Sequence, residues 1–457
     1  MARRTDAYTV PFAVPELSYG EAVALAADTG TISGDAGPLL ETVVDMLDEV
    51  GRPNAHFDAI QVAGTNGKTS TTRFTAAILR GEGLRCGLYT SPQLVRYEER
   101  MEVDGAPVSP EAFAHGVSAA VEAGRRVNER RQRAGEALYA ITPFDLLTVA
   151  AMIVFAEARL DVAVLEVGLG GRWDATSATD PVAVAITGIG LDHMRILGDT
   201  LAQIAQEKAA VIKPGRVVVL GTGVNEPSVR AVMDGRCAAC GVTPWNTSFE
   251  LLHAPVSLAD TVRFVARGLY GRYELALHKP AYQPQNAACA IALAEGYLGR
   301  ALDGHVLERS LDACPIPGRF DMIRRDPLVL IDACHNPQSC ENFVRALAEV
   351  EPCVEARPTL LIAALSDKDV AGIVDVLAPA FPRIAVTATA SARALAPEAL
   401  AAVVRERVEA LGRASSDVVG VFPTVEAALA QLTARGADVV AAGTITLAGE
   451  VAGLLRG

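Results

Sequence analysis

Lysine is scarce in this sequence: of 41 cationic side chains only five are lysine (Lys68, Lys208, Lys213, Lys279 and Lys368), leaving 41 − 5 = 36 arginines. Arginine carries the ordinary surface charge, so each lysine invites a reason. Aromatic residues are also few, 5% of 457 residues with two tryptophans. The core must therefore be built from Ala, Val, Leu and Ile, as in many α/β enzymes. Basic charge is in deficit by 54 − 41 = 13. That balance excludes a broad cationic surface for nucleic acid or an anionic membrane, and an anionic ligand must be held by a local site. No run reaches the ~18 apolar residues of a membrane span; the longest candidate, Leu146–Ala156, is interrupted by Glu157. The N-terminal stretch carries Arg3 and Arg4 but lacks the continuous apolar region of a leader peptide. Eight cysteines, with Cys237 and Cys240 the one C-x-x-C pair, argue for reduced thiols over a disulfide framework or a zinc site. The expectation is a soluble, cytoplasmic protein, with no nucleic-acid or membrane partner.

What is present is a rhythm of short Val/Ile-rich runs alternating with longer amphipathic stretches, the pattern of βαβ units and a mostly parallel sheet. Strands are predicted at Ala59–Ala63, Cys86–Thr90, Asp161–Val167, Val182–Thr187 and Val217–Leu220. Helices are predicted over Lys68–Gly81, Glu111–Arg131 and Phe144–Ala158. After about residue 300 the alternation tightens: strands Leu328–Asp332, Thr359–Ala363, Ile384–Thr389, Val418–Phe422 and Asp438–Ala442, with helices Pro337–Val350, Asp369–Phe381, Pro397–Leu411 and one ending at Arg435. The expected fold is α/β: a doubly wound, P-loop ATPase-like domain over 1–300, then a smaller Rossmann-like α/β domain over 301–457, with the junction between Tyr297 and Arg319.

Chemistry concentrates in the segment Ile60–Thr72. Gly64 and Gly67 follow a strand and precede a helix, so the backbone can bend and aim successive N–H groups at phosphate oxygens; the helix N-terminus adds its positive end. Thr65 and Asn66 complete the loop. Lys68 supplies a point charge for the outer phosphates, and Thr69 or Ser70 a hydroxyl for Mg²⁺. The first lysine thus has a task.

The general P-loop spacing is G-x-x-x-x-G-K, whereas here Gly64-Thr-Asn-Gly-Lys-Thr69 is shorter. That form resembles the ATP-dependent ligases that include folylpolyglutamate synthases and muramyl peptide ligases. Thr90–Leu94, Glu99–Met101, Leu165–Thr176, Gly190–Gly198, Gln206–Gly215, Pro317–Phe320 and Asp332–Pro337 narrow the resemblance to the folylpolyglutamate synthase/dihydrofolate synthase pattern. The resemblance implies two Mg²⁺ ions with Ser91, Glu166 and His193 as ligands. Asp192 either orients His193 or caps a helix. On chemistry alone His193 could be a ligand or a group behind one, since hard cations prefer oxygen. Lys208, 15 residues past His193, matches a lysine that can be carbamylated into an anionic metal ligand; the alternative is a salt bridge to Glu207 or another carboxylate. Asn286, Arg319 and Asp332 match ATP contacts, which would clamp ATP between the domains. His335 matches a position near the amine or acyl phosphate, and Lys368 falls in a turn expected to be structural or to face glutamate.

The implied reaction joins L-glutamate to a folate, or to dihydropteroate, through an acyl phosphate, with ADP and phosphate as by-products. The implied catalytic residues are Lys68, Lys208 and His335, in a monomer. A muramyl peptide ligase is the rival enzyme, although only 63 residues precede Gly64, few for that family's nucleotide-sugar domain. A nucleotide-dependent regulatory binding module is the rival of another class; it leaves Glu166, His193 and the second domain without a purpose. Gln93, Ser177, Tyr282, Ala333 and Cys334 depart from the family's common residues, His, Asn, His and Gly-Ala respectively. Gln93 and Ser177 fall near acceptor loops, so those two bear on acceptor choice.

Overall fold

The computed structural model describes residues 6–28 and 40–456; Arg3 and Arg4, which entered the leader-peptide reading, lie outside them. Two compact units are present. One comprises Met1–Glu250, Val265–Glu274 and Gln285–Cys314; the other comprises Leu251–Phe264, Leu275–Pro284 and Pro315–Gly457.

The first unit is built on an eight-stranded sheet. Its strands are β1 (Asp58–Ala63), β2 (Cys86–Tyr89), β3 (Met101–Val103), β4 (Ala106–Pro107), β5 (Val162–Glu166), β6 (Ala183–Gly188), β7 (Val217–Gly223) and β8 (Trp245–Asn246). They run in the order β4-β3-β2-β5-β1-β6-β7-β8. The central strands are parallel and almost wholly buried, which is why they read as continuous Ala/Val/Ile/Leu runs without alternation. From β1 the chain first moves to one side of the sheet, returns through β5, then continues on the other side with β6 and β7. That reversal is the topological switch at which doubly wound sheets bind ligands, beyond the carboxyl ends of the strands. The register aligns Val62 with Glu166 and Ala63 with Ile186, so the loop after β1, the end of β5 and the end of β6 emerge at one edge.

Helices Pro110–Ala134 and Pro143–Glu157 pack together over one core cluster, which includes Phe113, Leu147 and Phe155. The apolar run Leu146–Ala156 is the interior of the second of these helices. Among the described residues no helix is long and apolar enough to cross a membrane.

The second unit carries β12 (Asp321–Arg325), β13 (Leu328–Asp332), β14 (Thr359–Ile362), β15 (Ile384–Val386), β16 (Val418–Val421) and β17 (Val439–Ala442), in the order β12-β13-β17-β14-β15-β16, with β12 antiparallel. The helix expected over Asp369–Phe381 is Val370–Leu377 followed by a 3-10 turn at Ala378–Ala380; Pro379 lacks the N–H to continue it. A further three-stranded sheet, β11-β10-β9, comprises β9 (Ser248–His253), β10 (Val262–Arg267) and β11 (Arg272–Leu277). These strands were not anticipated: β9 is mostly exposed, and in β10 and β11 arginine and glutamate interrupt the apolar residues, so none forms an unbroken apolar run.

Candidate functional site

The phosphate loop follows from backbone geometry that only glycine supplies. Gly64 has φ +146°, and a Cβ there would lie 2.0 Å from Thr187 Oγ1; Gly67 has φ +85°, and a Cβ would lie 2.4 Å from Asn286 Oδ1. Both are positions where a side chain would collide or strain the chain. Thr187, at the end of β6, holds the loop from below, with Oγ1 2.6 Å from the Asn66 carbonyl. Thr65 N–H donates to the Gly188 carbonyl at 2.8 Å, and Thr65 Oγ1 accepts from Gly190 N–H at 3.0 Å. The helix Lys68–Gly81 starts on Gly67 with no side-chain cap, and the positive end of its dipole favours an anion there. Lys68 Nζ reaches the carbonyls of Gly64 and Thr65, each at 3.1 Å, which folds it over the loop it is to serve.

Glu166 closes β5 and is 2% exposed. Oε1 accepts from Thr69 Oγ1 at 2.8 Å, and Oε2 from Ser91 N–H at 3.3 Å. Of the two candidate hydroxyls, Thr69 donates to the carboxylate, and Ser70 is buried. Among the described residues no set of three or more His, Cys, Asp or Glu side chains that could hold a metal comes together. A cation at Glu166 would have to draw on hydroxyls, phosphate oxygens and water as well, which suits a hard ion such as Mg²⁺.

His193 sits in a left-handed conformation, φ +51°, at the N-cap of the short helix Met194–Leu197. Its Nε2 lies 3.9 Å from Asp192 Oδ2, and its N–H donates to Asp192 Oδ1 at 2.9 Å. Of the two roles open to Asp192, the cap falls away because His193 itself holds the cap position.

Lys208 is buried in the helix Leu201–Ala209. Burial first, and the charge of Lys68 second, push its amine down to about 7. The salt-bridge alternative does not hold: Glu207 accepts from Arg172 Nε at 3.0 Å, and no described carboxylate pairs with Lys208 Nζ. A buried amine whose proton comes off near pH 7, so that a large share is neutral there, has the reactivity a carbamate requires.

The loop after Glu166 is tied down by Asp174, which accepts from the N–H groups of Gly168 at 2.9 Å, Leu169 at 3.0 Å and Thr176 at 3.0 Å. Ser177 is buried there, donating to Gly171 O at 2.7 Å and accepting from Gln61 at 2.9 Å. Asp174 and Gln61 fall in segments the sequence singled out, but their roles, like that of Thr187, were not legible, because each acts through a partner more than 100 residues away or through backbone N–H groups.

In the second unit Asp332 ends β13, 3% exposed. Oδ2 accepts from Phe320 N–H at 2.8 Å and Tyr282 Oη at 3.0 Å, and Oδ1 from Cys334 N–H at 2.9 Å. Burial raises its carboxyl, while the Arg319 charge opposes that. His335 Nδ1 lies 2.9 Å from the Ala333 carbonyl; a carbonyl only accepts, so Nδ1 is the donor in that contact. In the Lys368 turn, Asp369 caps the next helix and Asp367 pairs with Arg393 at 2.9 Å. Asn286, placed against Gly67, belongs to the first unit with the phosphate loop.

Residues 318–444 match the family model described as Mur ligase, glutamate ligase domain. The chain is 35% identical over 387 residues to the dihydrofolate synthase/folylpolyglutamate synthase of Mycobacterium tuberculosis, covering 81% of this chain and 78% of that protein. It is 33% identical over 352 residues to the folylpolyglutamate synthase of Lacticaseibacillus casei, covering 75% and 79%. In three dimensions it resembles the Mycobacterium tuberculosis folylpolyglutamate synthase complexed with ADP and AMPPCP, with a TM-score of 0.84 and 30% identity over 95% of this chain and 99% of that one.

Proposed function

The chain belongs to the folylpolyglutamate synthase/dihydrofolate synthase family, and from that premise we infer that it is an ADP-forming ligase that joins L-glutamate to a folate carboxylate. The observation that carries this reading is the edge of the eight-stranded sheet: a glycine-built loop, a helix start without a side-chain cap, Lys68 folded over the loop, and Glu166 beside it.

The reaction has two steps. A carboxylate oxygen of the acceptor attacks the γ-phosphorus of ATP, the bond to ADP breaks, and an acyl phosphate forms. The amine of glutamate then attacks the acyl carbon, phosphate leaves, and the nitrogen gives up a proton. Both steps bring anions together, so the chain's contribution is positioning and charge compensation. Loop N–H groups and Lys68 hold the phosphates. Mg²⁺, which we propose as two ions, would add charge neutralisation on the transferring phosphoryl group. Glu166, Ser91 and His193 would hold it, with Thr69 at hand, and Lys208 would join them as a carbamate, formed from the neutral amine and CO₂ with release of one proton. Asn286, Arg319 and Asp332 are proposed nucleotide contacts. His335 is the proposed acceptor for the amine's proton. Either dihydropteroate or a folate monoglutamate fits this chemistry, and the protein is proposed to act as a monomer.

The test is turnover with ATP, Mg²⁺ and glutamate against dihydropteroate, a reduced folate monoglutamate and a nucleotide-linked muramyl acceptor in parallel. The expected result is ADP, phosphate and a product one glutamyl residue heavier with a pteridine acceptor. Turnover of the muramyl acceptor alone, or ATP hydrolysis indifferent to acceptor and glutamate, would overturn the reading.

A further inference from the structure

Arg100 is a cation that the fold leaves without a carboxylate. It ends the 3-10 turn Tyr97–Arg100 just before β3, and its guanidinium is desolvated enough for burial to push its pKa down. The two acids preceding it in sequence are committed elsewhere. Glu99 spends Oε1 on Arg96 N–H at 3.0 Å and Oε2 on the N–H groups of Leu94 at 3.0 Å and Val95 at 3.1 Å. Glu98 accepts from Tyr19 Oη at 2.6 Å and pairs with Arg96 at 2.8 Å. What holds Arg100 is neutral: Nε donates to Gln93 Oε1 at 2.7 Å, and the guanidinium carbon lies 5.4 Å from the Tyr97 ring centroid. Among the described residues Nε is the one guanidinium nitrogen with a hydrogen-bond partner, so the two terminal nitrogens remain as a fork.

Position gives this fork a meaning. Thr90 N–H donates to the Arg100 carbonyl at 2.9 Å, and the next residue, Ser91, reaches Glu166 by its own N–H. Arg100 therefore stands at the same sheet edge as the phosphate loop, and its charge is felt by Glu166. A partly desolvated guanidinium that is in direct contact with no carboxylate, Glu166 acting on it only at a distance, is costly unless a ligand supplies one, and its planar fork matches a carboxylate at two points. Phosphate already has the loop and Lys68. The reacting carboxylate needs its lone pairs for phosphorus, and a two-point clamp would tie them up. A folate acceptor ending in glutamate brings a second, bystander carboxylate on the α-carbon; dihydropteroate does not.

We propose that Arg100, held in place by Gln93, binds the non-reacting α-carboxylate of a glutamylated acceptor and thereby sets this chain's preference for folates over acceptors with a single carboxylate. The inference rests on the folate-ligase reading. Gln93 is a positioning residue, since it acts through the guanidinium.

The experiment compares a reduced folate monoglutamate with its analogue in which 4-aminobutyrate replaces glutamate, so that the reacting carboxylate is kept and the α-carboxylate is absent. The ratio of kcat/KM for the two acceptors is measured for the wild type, Arg100→Gln, Arg100→Lys and Gln93→Ala, with ADP affinity as the check on folding. The wild type is expected to favour the glutamate acceptor; Arg100→Gln should collapse that ratio by at least about tenfold, chiefly through KM. Arg100→Lys should recover part of it, and Gln93→Ala should give a smaller loss. A ratio unchanged in Arg100→Gln, equal losses on both acceptors, or a wild type indifferent to the α-carboxylate each overturn the proposal. Wild-type turnover of neither acceptor would be a different failure, that of the folate reading itself.

Discussion

Each unit ends a parallel strand with a buried acid, and the two acids are held in opposite ways. Glu166 at the end of β5 receives a threonine hydroxyl from the phosphate-loop helix and one N–H from the loop after β2. Asp332 at the end of β13 receives two backbone N–H groups and a tyrosine hydroxyl. The first set comes from a helix start and a loop, and a hydroxyl can turn away to let a cation or a phosphate-bound water in. The second set is mostly backbone and leaves little to exchange except Tyr282. The lesson is that two equally buried strand-end acids differ in how much of their surroundings can be exchanged: the Thr69 hydroxyl on Glu166 can give way, whereas at Asp332 only the Tyr282 hydroxyl can.

The largest break in that comparison comes from the first edge. Lys68→Ala should lower kcat/KM by about 10²–10³-fold, the scale on which a preorganised charge on a transferring group acts, with little change in melting temperature; steady-state ADP release checks it. Gly64→Ala places a methyl against Thr187 Oγ1 at a backbone angle that favours glycine, and should weaken ADP binding by roughly tenfold or more, read by calorimetric titration. A pair of variants, one at each acid, sharpens the contrast. Thr69→Val should cost about tenfold in kcat with a small stability change, whereas Tyr282→Phe should cost about 1 kcal/mol of unfolding free energy, since it removes one donor from a buried acid. Denaturant melts and kinetics on both variants decide this; the reverse pattern would break the comparison.

The smallest effect is a pH slope. The Lys208 amine has its folded value pushed down to about 7 against 10.5 ordinarily. Below pH ~7 both states carry the proton and the cost of burying it is full. Between the two values the unfolded chain binds more protons, so stability rises with pH through that window. Lys208→Met should flatten the slope. In ¹³CO₂-enriched buffer the wild type should develop a carbamate resonance as pH rises past about 7, absent from the variant.

Much of the first edge was legible in the sequence because its chemistry is local: Gly64 through Ser70 are contiguous, and the strands around them are unbroken apolar runs. Glu166 and Ser91 were legible through the resemblance. What escaped depends on who packs against whom. The positive charge of Arg100 is visible in the sequence, but its lack of a carboxylate is not, since that follows from Glu98 and Glu99 turning to other donors. The burial of Lys208 is a property of the helix's environment, and the role of Asp192 turned on a left-handed His193. β12, Asp-Met-Ile-Arg-Arg, is too polar to be read as a strand; it forms because the edge of β13 offers it a ladder.

The claim at the centre of this account is that the acceptor carboxylate takes the phosphoryl group before the amide forms. Turnover with an acceptor whose carboxylate carries ¹⁸O tests it directly, with the released nucleotide and phosphate analysed by mass. The account predicts one labelled oxygen in each released phosphate and none in the nucleotide. Unlabelled phosphate, or label recovered in AMP, would contradict it.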